Sequence, residues 1–258
     1  LALALNVKGL INIQFAVKNN AIFVLEVNPR ASRTIPFVSK AIGFPIINLA
    51  SKVMVGQKLE QLKIPTNNIK HFCIKEAVLP FDRFPGTDTL LGPEMKSTGE
   101  VMGIANNFEE AFLKSQLAAN IILPKEGTVF FSIRDNDKNE IAIAIAKLIT
   151  ELNFIILATI GTKNFLDKHF IKSKLVNKVH EDTPNIVDKM KAGEINLVFN
   201  TTQGVNAIND SKMIRSTALD LKIPYYTTLA GISAATGAMK QNLHKKHEVQ
   251  AIQNIRKI

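Results

Sequence analysis

The chain has 258 residues, 46% of them apolar, so it fits one large or two ordinary domains with a buried core, and disorder is excluded. Its single cysteine, Cys73, excludes an internal disulfide and suits a reducing, cytoplasmic setting, and no apolar run is long enough to span a bilayer. The net charge of +10 is spread as +4 over residues 1–120 and +6 over the rest, without interleaved aromatics, which argues for solvated lysines and against a nucleic-acid partner.

The opening Leu1-Ala2-Leu3-Ala4-Leu5 lacks a basic flank and an initiating Met. It reads as the last turns of a helix rather than a signal peptide, and the chain as a fragment. Gly9 ends that helix. A strand then runs from Leu10 to Val17 with alternating polarity, Lys18-Asn19-Asn20 supplies a tight turn, and Ala21 to Asn28 forms a second strand. Pro29 breaks the ladder, and helices are predicted over Pro36–Ile42 and Pro45–Val55. Residues 73–106 read as irregular strands and loops, followed by a helix near Phe108–Asn120.

From about residue 121 the rhythm changes. Strands are predicted at Thr128–Ile133, Phe154–Ala158, Leu175–Val179, Asn196–Asn200 and Tyr225–Thr228, with helices at 138–151, 163–170, 184–192, 210–221 and 231–257. This alternation implies an α/β domain with a doubly wound parallel sheet, whose ligands sit at the C-terminal strand ends. The expected domains are therefore 1–120 and 121–258.

The segment Glu26–Arg33 carries the most chemistry in the first domain. Glu26 and Asn28, two apart on a strand, share a face, and folding the hairpin brings Gln14 roughly opposite residues 24–26. Such a set of oxygen donors suits Mg²⁺ or Mn²⁺ completed by nucleotide phosphates and water. Arg30 and Arg33 follow, and their guanidinium forks suit an oxyanion or a phosphoryl group in transfer. The ordinary alternative is an edge hairpin with a solvated carboxylate and two surface arginines.

Three stretches of the second domain resemble phosphate-binding strand ends: Ala158-Thr159-Ile160-Gly161-Thr162, Val176-Asn177-Lys178-Val179-His180, and Asn200-Thr201-Thr202-Gln203-Gly204. Each alone would be read as helix capping; together they favour a pocket. His244 and His247 lie three apart, but with only lysines between them they read as a solvated helix end. Cys73 reads as a small core residue, and Asp82 and Asp88 as loop-shaping residues.

The run from Leu5-Asn6-Val7-Lys8-Gly9 through Gln14-Phe15-Ala16-Val17 to Glu26–Arg33 resembles the end of the ATP-grasp domain of carbamoyl phosphate synthetase large subunits. The resemblance continues through Pro36-Phe37-Val38-Ser39-Lys40, Lys75-Glu76-Ala77-Val78-Leu79-Pro80-Phe81 and Leu91-Gly92-Pro93-Glu94-Met95-Lys96-Ser97-Thr98-Gly99-Glu100. Residues 121–258 resemble the methylglyoxal-synthase-like domain that closes this subunit, which marks the first part as the second synthetase half, where carbamate is phosphorylated. The resemblance implies a ligase of arginine and pyrimidine biosynthesis that uses ATP and Mg²⁺ or Mn²⁺. It implies metal ligation by Gln14, Glu26 and Asn28, with Arg30 and Arg33 on carbamate and the phosphoryl group.

It also implies allosteric regulation by UMP, IMP and ornithine. Lys138, Thr159, Thr162 and Lys178 would hold an effector phosphate, Asn200 and Thr202 its base and ribose, and Glu76 and Thr227 ornithine at a site between the two domains. Val205 and Asn206 stand where well-known members carry arginines, which leaves effector identity open. Phe199–Thr202 offers no carboxylate to act as the base of a methylglyoxal synthase, so the domain reads as a sensor rather than a lyase. The family pairs this subunit with a glutaminase subunit, and homo-oligomers are compatible with it. The residues that grip ATP are expected before Leu1, so the fragment alone is expected to be inactive. The alternative is a stand-alone nucleotide-binding regulatory module.

Overall fold

The computed structural model describes all residues except 65–68, 80, 82–98, 203–204, 245–250, 252–253 and 255–258, and the side chains of 205–210 and 244. The Leu91–Thr98 motif, Asp82, Asp88, Gln203-Gly204, the side chains of Val205, Asn206 and His244, and His247 therefore lie outside the described residues. The chain divides into two compact units, residues 1–71 with 248–258, and residues 72–247. Compactness thus divides the chain near residue 71, earlier than the boundary at 120/121 read from the change in rhythm.

In the first unit, residues 1–7 make a turn closed by Leu5 N–H donating to the Leu1 carbonyl at 2.9 Å, not the run of helix expected. β1 (Asn12–Lys18) and β2 (Ala21–Asn28) form an antiparallel hairpin. Asn19 and Asn20 turn it with φ of 50° and 62°, the left-handed conformation that asparagine tolerates. Lys18 pairs with Ala21 and Phe15 with Val24, whereas Gln14 pairs with Glu26, so Leu25 is left without a partner as a β-bulge. α1 (Ile35–Ala41) has Pro in its first turn, where no N–H is needed, and α2 (Ile46–Met54) follows Pro45. No single helix among the described residues is long and apolar enough to cross a membrane; α1 and α2 reach that measure only together, across a 119° bend.

The second unit opens with a regular antiparallel ribbon, β3 (Phe72–Val78) with β4 (Gly99–Ala105), where the sequence suggested irregular structure. α3 (Phe108–Ala118) starts at Asn107, whose side chain accepts from Glu110 N–H, and packs on this ribbon. Gly103 permits the close approach: a Cβ there would lie 2.0 Å from the Ala111 carbonyl oxygen.

The remaining elements alternate strand and helix. They are β5 (Thr128–Ser132), α4 (Glu140–Glu151), β6 (Ile155–Ala158), α5 (Ile160–Lys168), β7 (Lys174–Leu175), α6 (Ile186–Lys191), β8 (Leu197–Asn200), α7 (Val205–Asp220), β9 (Tyr225–Tyr226) and α8 (Leu229–His244). The five strands are parallel in the order β7-β6-β5-β8-β9, which is the expected doubly wound sheet with its switch point between β5 and β8.

Alternation along β5 shows why helices cover both faces. Val129 and Phe131 join a core with Leu113, Ala142, Ile149, Phe199 and Ile232, while Phe130 packs on the other side with Ile186, Met190 and Ile214. Each fully buried side chain of this size contributes about 1.5–3 kcal/mol. Observed strands are shorter than expected, most of all β7, which ends three residues before Lys178.

Candidate functional site

The bulge at Leu25 decides the geometry of the first candidate site. A regular hairpin about Asn19-Asn20 would set Gln14 across from Leu25; the extra residue sets it across from Glu26 instead. Directly opposed residues share a face, and Asn28 lies on it two residues further along. Asn28 Nδ2 donates to Glu26 Oε1, so the two side chains meet. Gln14 and Glu26 are exposed and Asn28 is half-buried, leaving the set open to a ligand.

One carboxylate and two amide oxygens suit a hard divalent cation that keeps several water or phosphate ligands. The Asn28 amino group takes the place a cation would occupy against Glu26, and turning the amide would offer its oxygen instead. Among the described residues there is no cluster of three or more His, Cys, Asp or Glu that could hold a metal ion. Arg30 and Arg33 follow the strand and are exposed, with Arg30 Nη1 donating to the Ala31 carbonyl at 3.0 Å.

The second candidate site lies at the C-terminal ends of β5 and β6. Asn139 and Asn185 cap α4 and α6 with their side chains, but Thr159, at the N-cap of α5, makes no such bond. Its hydroxyl lies 3.1 Å from Ser132 Oγ, so side-chain capping does not account for this threonine. Lys138 Nζ reaches across, near enough that a Cβ on Gly161 would lie 3.4 Å from it, and it donates to Asp135 Oδ1 at 2.6 Å. Lys138, and more weakly Lys178, hold the Asp135 carboxyl below the usual range. The α5 N-terminus and Lys138 therefore come together where a phosphate would be favoured.

Other predicted residues are already engaged. Thr162 is buried, its hydroxyl accepting from Ile133 N–H at 2.9 Å, so it fixes α5 to the end of β5. Asn200 is buried and donates from Nδ2 to Ser211 Oγ at 3.0 Å, while Thr202 is half-buried beyond it. Sequence reasoning overlooked Ser132, Asp135 and Ser211; Asp135 was in view, three residues before Lys138, the spacing of a local ion pair.

Glu76 and Thr227 fall in the same compact unit. Glu76 faces α3, where Gln116 Nε2 donates to its Oε2 at 3.1 Å. Burial pushes its carboxyl up, partly offset by that hydrogen bond. Thr227 is exposed and directly follows Tyr226, whose hydroxyl donates to Gln116 Oε1 at 2.9 Å.

Two family models match this chain: "Carbamoyl-phosphate synthase L chain, ATP binding domain" over residues 1–62, and "MGS-like domain" over residues 142–227. Among curated relatives, the carbamoyl phosphate synthase large chain of Rhizobium meliloti is 49% identical over 98% of this chain. That of Buchnera aphidicola is 51% identical over 100%, and that of Methanosarcina barkeri 47% identical over 99%. The chain spans 22% and 24% of the first two relatives and 64% of the third. An ATP-binding-domain match at one end, an MGS-like match over the sheet, and near-half identity along the whole length agree: the chain belongs to the carbamoyl phosphate synthase large-chain family.

Proposed function

We propose that this chain forms the closing part of the synthetase half that phosphorylates carbamate with ATP, followed by the domain that senses regulatory ligands. The observation that carries the catalytic part is the bulged register that sets Gln14 opposite Glu26, with Asn28 bonded to the same carboxylate. These three side chains would hold Mg²⁺ or Mn²⁺, which supplies charge neutralisation to the nucleotide phosphates. Arg30 and Arg33 would steady carbamate and the moving phosphoryl group, so that the protein contributes position and charge rather than a nucleophile.

At the end of the sheet, Lys138, Lys178 and the α5 N-terminus would bind the phosphate of a nucleotide effector such as UMP or IMP. Thr159 would line that pocket, while Thr162 would shape it from behind. Asn200 and Thr202 would meet the effector's base and ribose. Glu76 and Thr227 would receive the amine of ornithine. The family reading further proposes roles in arginine and pyrimidine synthesis, a glutaminase partner subunit and a cytoplasmic location. It favours activity only in the longer chain, because the matched relatives are longer.

The test is ATP formation from carbamoyl phosphate and Mg-ADP by a whole large chain carrying these residues, with and without Glu26→Ala. Loss of at least about 100-fold, the size expected when a charge-stabilising group is removed, supports the reading. Unchanged turnover in a folded variant overturns it and leaves the nucleotide-sensing module as the better account.

A further inference from the structure

Glu76, Gln116 and Tyr226 form a hydrogen-bonded chain inside the second unit. β3 pairs Glu76 with Val101 and Ile74 with Gly103, so Glu76 projects from the ribbon face that α3 covers. Gln116 emerges from α3 on its buried side and is 1% exposed, although its chemistry is that of a surface residue. It spans two partners, donating from Nε2 to Glu76 Oε2 at 3.1 Å and accepting at Oε1 from the Tyr226 hydroxyl at 2.9 Å.

The partners set the sense of the amide. An ionised carboxylate only accepts, so it takes the amino end, and the phenol must then donate to the carbonyl end. The phenol is kept in its protonated, donating form, because burial first and the charge of Glu76 second push its ionisation far above the usual value. Its ring is fixed by an edge-on contact with Phe199, 5.8 Å between centroids. Glu76 thus receives one neutral donor, and no ion pair is formed by it among the described residues. A half-buried carboxylate with one neutral donor is short of positive charge, and a bound cation would relieve that deficit.

We propose that Gln116, held by Tyr226, is a positioning residue that fixes the direction in which Glu76 meets a primary ammonium ligand. This rests on reading Glu76 and Thr227 as the ornithine site. Gln116 need not touch the ligand. It keeps one carboxylate oxygen occupied and directs the other, and its N–H favours the ionised form that a cation requires.

The experiment is calorimetric titration of a whole large chain carrying these residues with L-ornithine, across mildly acidic to mildly basic pH. The variants are Glu76→Gln, Gln116→Met and Tyr226→Phe. Gln116→Met keeps volume and shape, removes both hydrogen bonds, and is expected to weaken ornithine by about tenfold or more, as expected for a bond to a charged group. It should also raise the pH at which binding is half lost, a shift that a packing defect alone would not produce. Tyr226→Phe should act in the same direction but less, because the amide then lacks only its tether; it decides the matter if Gln116→Met does not fold. Ornithine binding unchanged in Glu76→Gln overturns the amine-site reading itself. Binding lost in Glu76→Gln but of normal affinity and normal pH midpoint in the other two overturns the role of Gln116.

Discussion

Residues 1–71 and residues 72–247 treat their apolar side chains in opposite ways. In the first, Ala41, Ala50 and Leu62 are the buried residues among those described, while Phe15 is 52% and Leu25 65% exposed. In the second, both faces of the sheet are sealed, and Phe130, Phe131 and Phe199 are fully enclosed. The β1–β2 hairpin thus presents the face of Gln14, Glu26 and Asn28, proposed above to hold the metal, with a geometry that comes from one bulge and one turn and little core behind it. The proposed effector region sits on a packed sheet whose strands are covered on both faces. A thin ribbon holds its side chains with few packed neighbours, whereas the ends of β5 and β6 are held by a core on both faces of the sheet.

The largest expected effect sharpens this contrast. Phe130→Ala removes a side chain enclosed on all sides and should cost about 3–5 kcal/mol in denaturant unfolding of the second unit. Phe23→Ala, at an exposed position of β2, should stay within about 0.5 kcal/mol in the same chain. Equal costs at the two positions would break the comparison.

Next in size is Gly103→Ala. The new methyl would meet the Ala111 carbonyl and the Ser115 N–H, both backbone and unable to step aside, and a loss of about 1–3 kcal/mol is expected. Smaller still is Asn139→Ala, which removes the α4 cap and should cost about 1 kcal/mol. Thr159→Ala removes no such cap and should cost less stability while weakening phosphate-ligand affinity, as isothermal titration with a nucleoside monophosphate would show.

The smallest effect concerns pH. Glu76 has a folded-state carboxyl raised above its usual 4.5, so its stabilising contribution is present below that value and is lost as pH rises through the raised one. Glu76→Gln should therefore gain slightly on the parent protein at neutral pH and lose that advantage in acid, measured by unfolding at several pH values.

Much of this was legible in the sequence because local chemistry dictated it. Asn19-Asn20 carries the chemistry of a tight turn, and the alternation of strand and helix from about residue 121 implies a parallel sheet covered on both faces. The β3–β4 ribbon was not legible, because its strands lie far apart in sequence and its register is set by the packing of α3 against Gly103. The bulge was hidden for a different reason: Leu25 and Glu26 both suit a strand, and nothing local says which one pairs with Gln14. Gln116 was overlooked because a polar residue on a helix is expected to face water, and only its two partners explain its burial.

The most direct measurement of the central claim is the number of Mn²⁺ ions bound per whole large chain in the presence of ATP, counted by electron paramagnetic resonance. The account predicts that Glu26→Gln lowers the count while the unfolding of the sheet domain stays unchanged. An unaltered count, with Mn²⁺ still held as tightly, would contradict the assignment of the Gln14, Glu26 and Asn28 face to the metal.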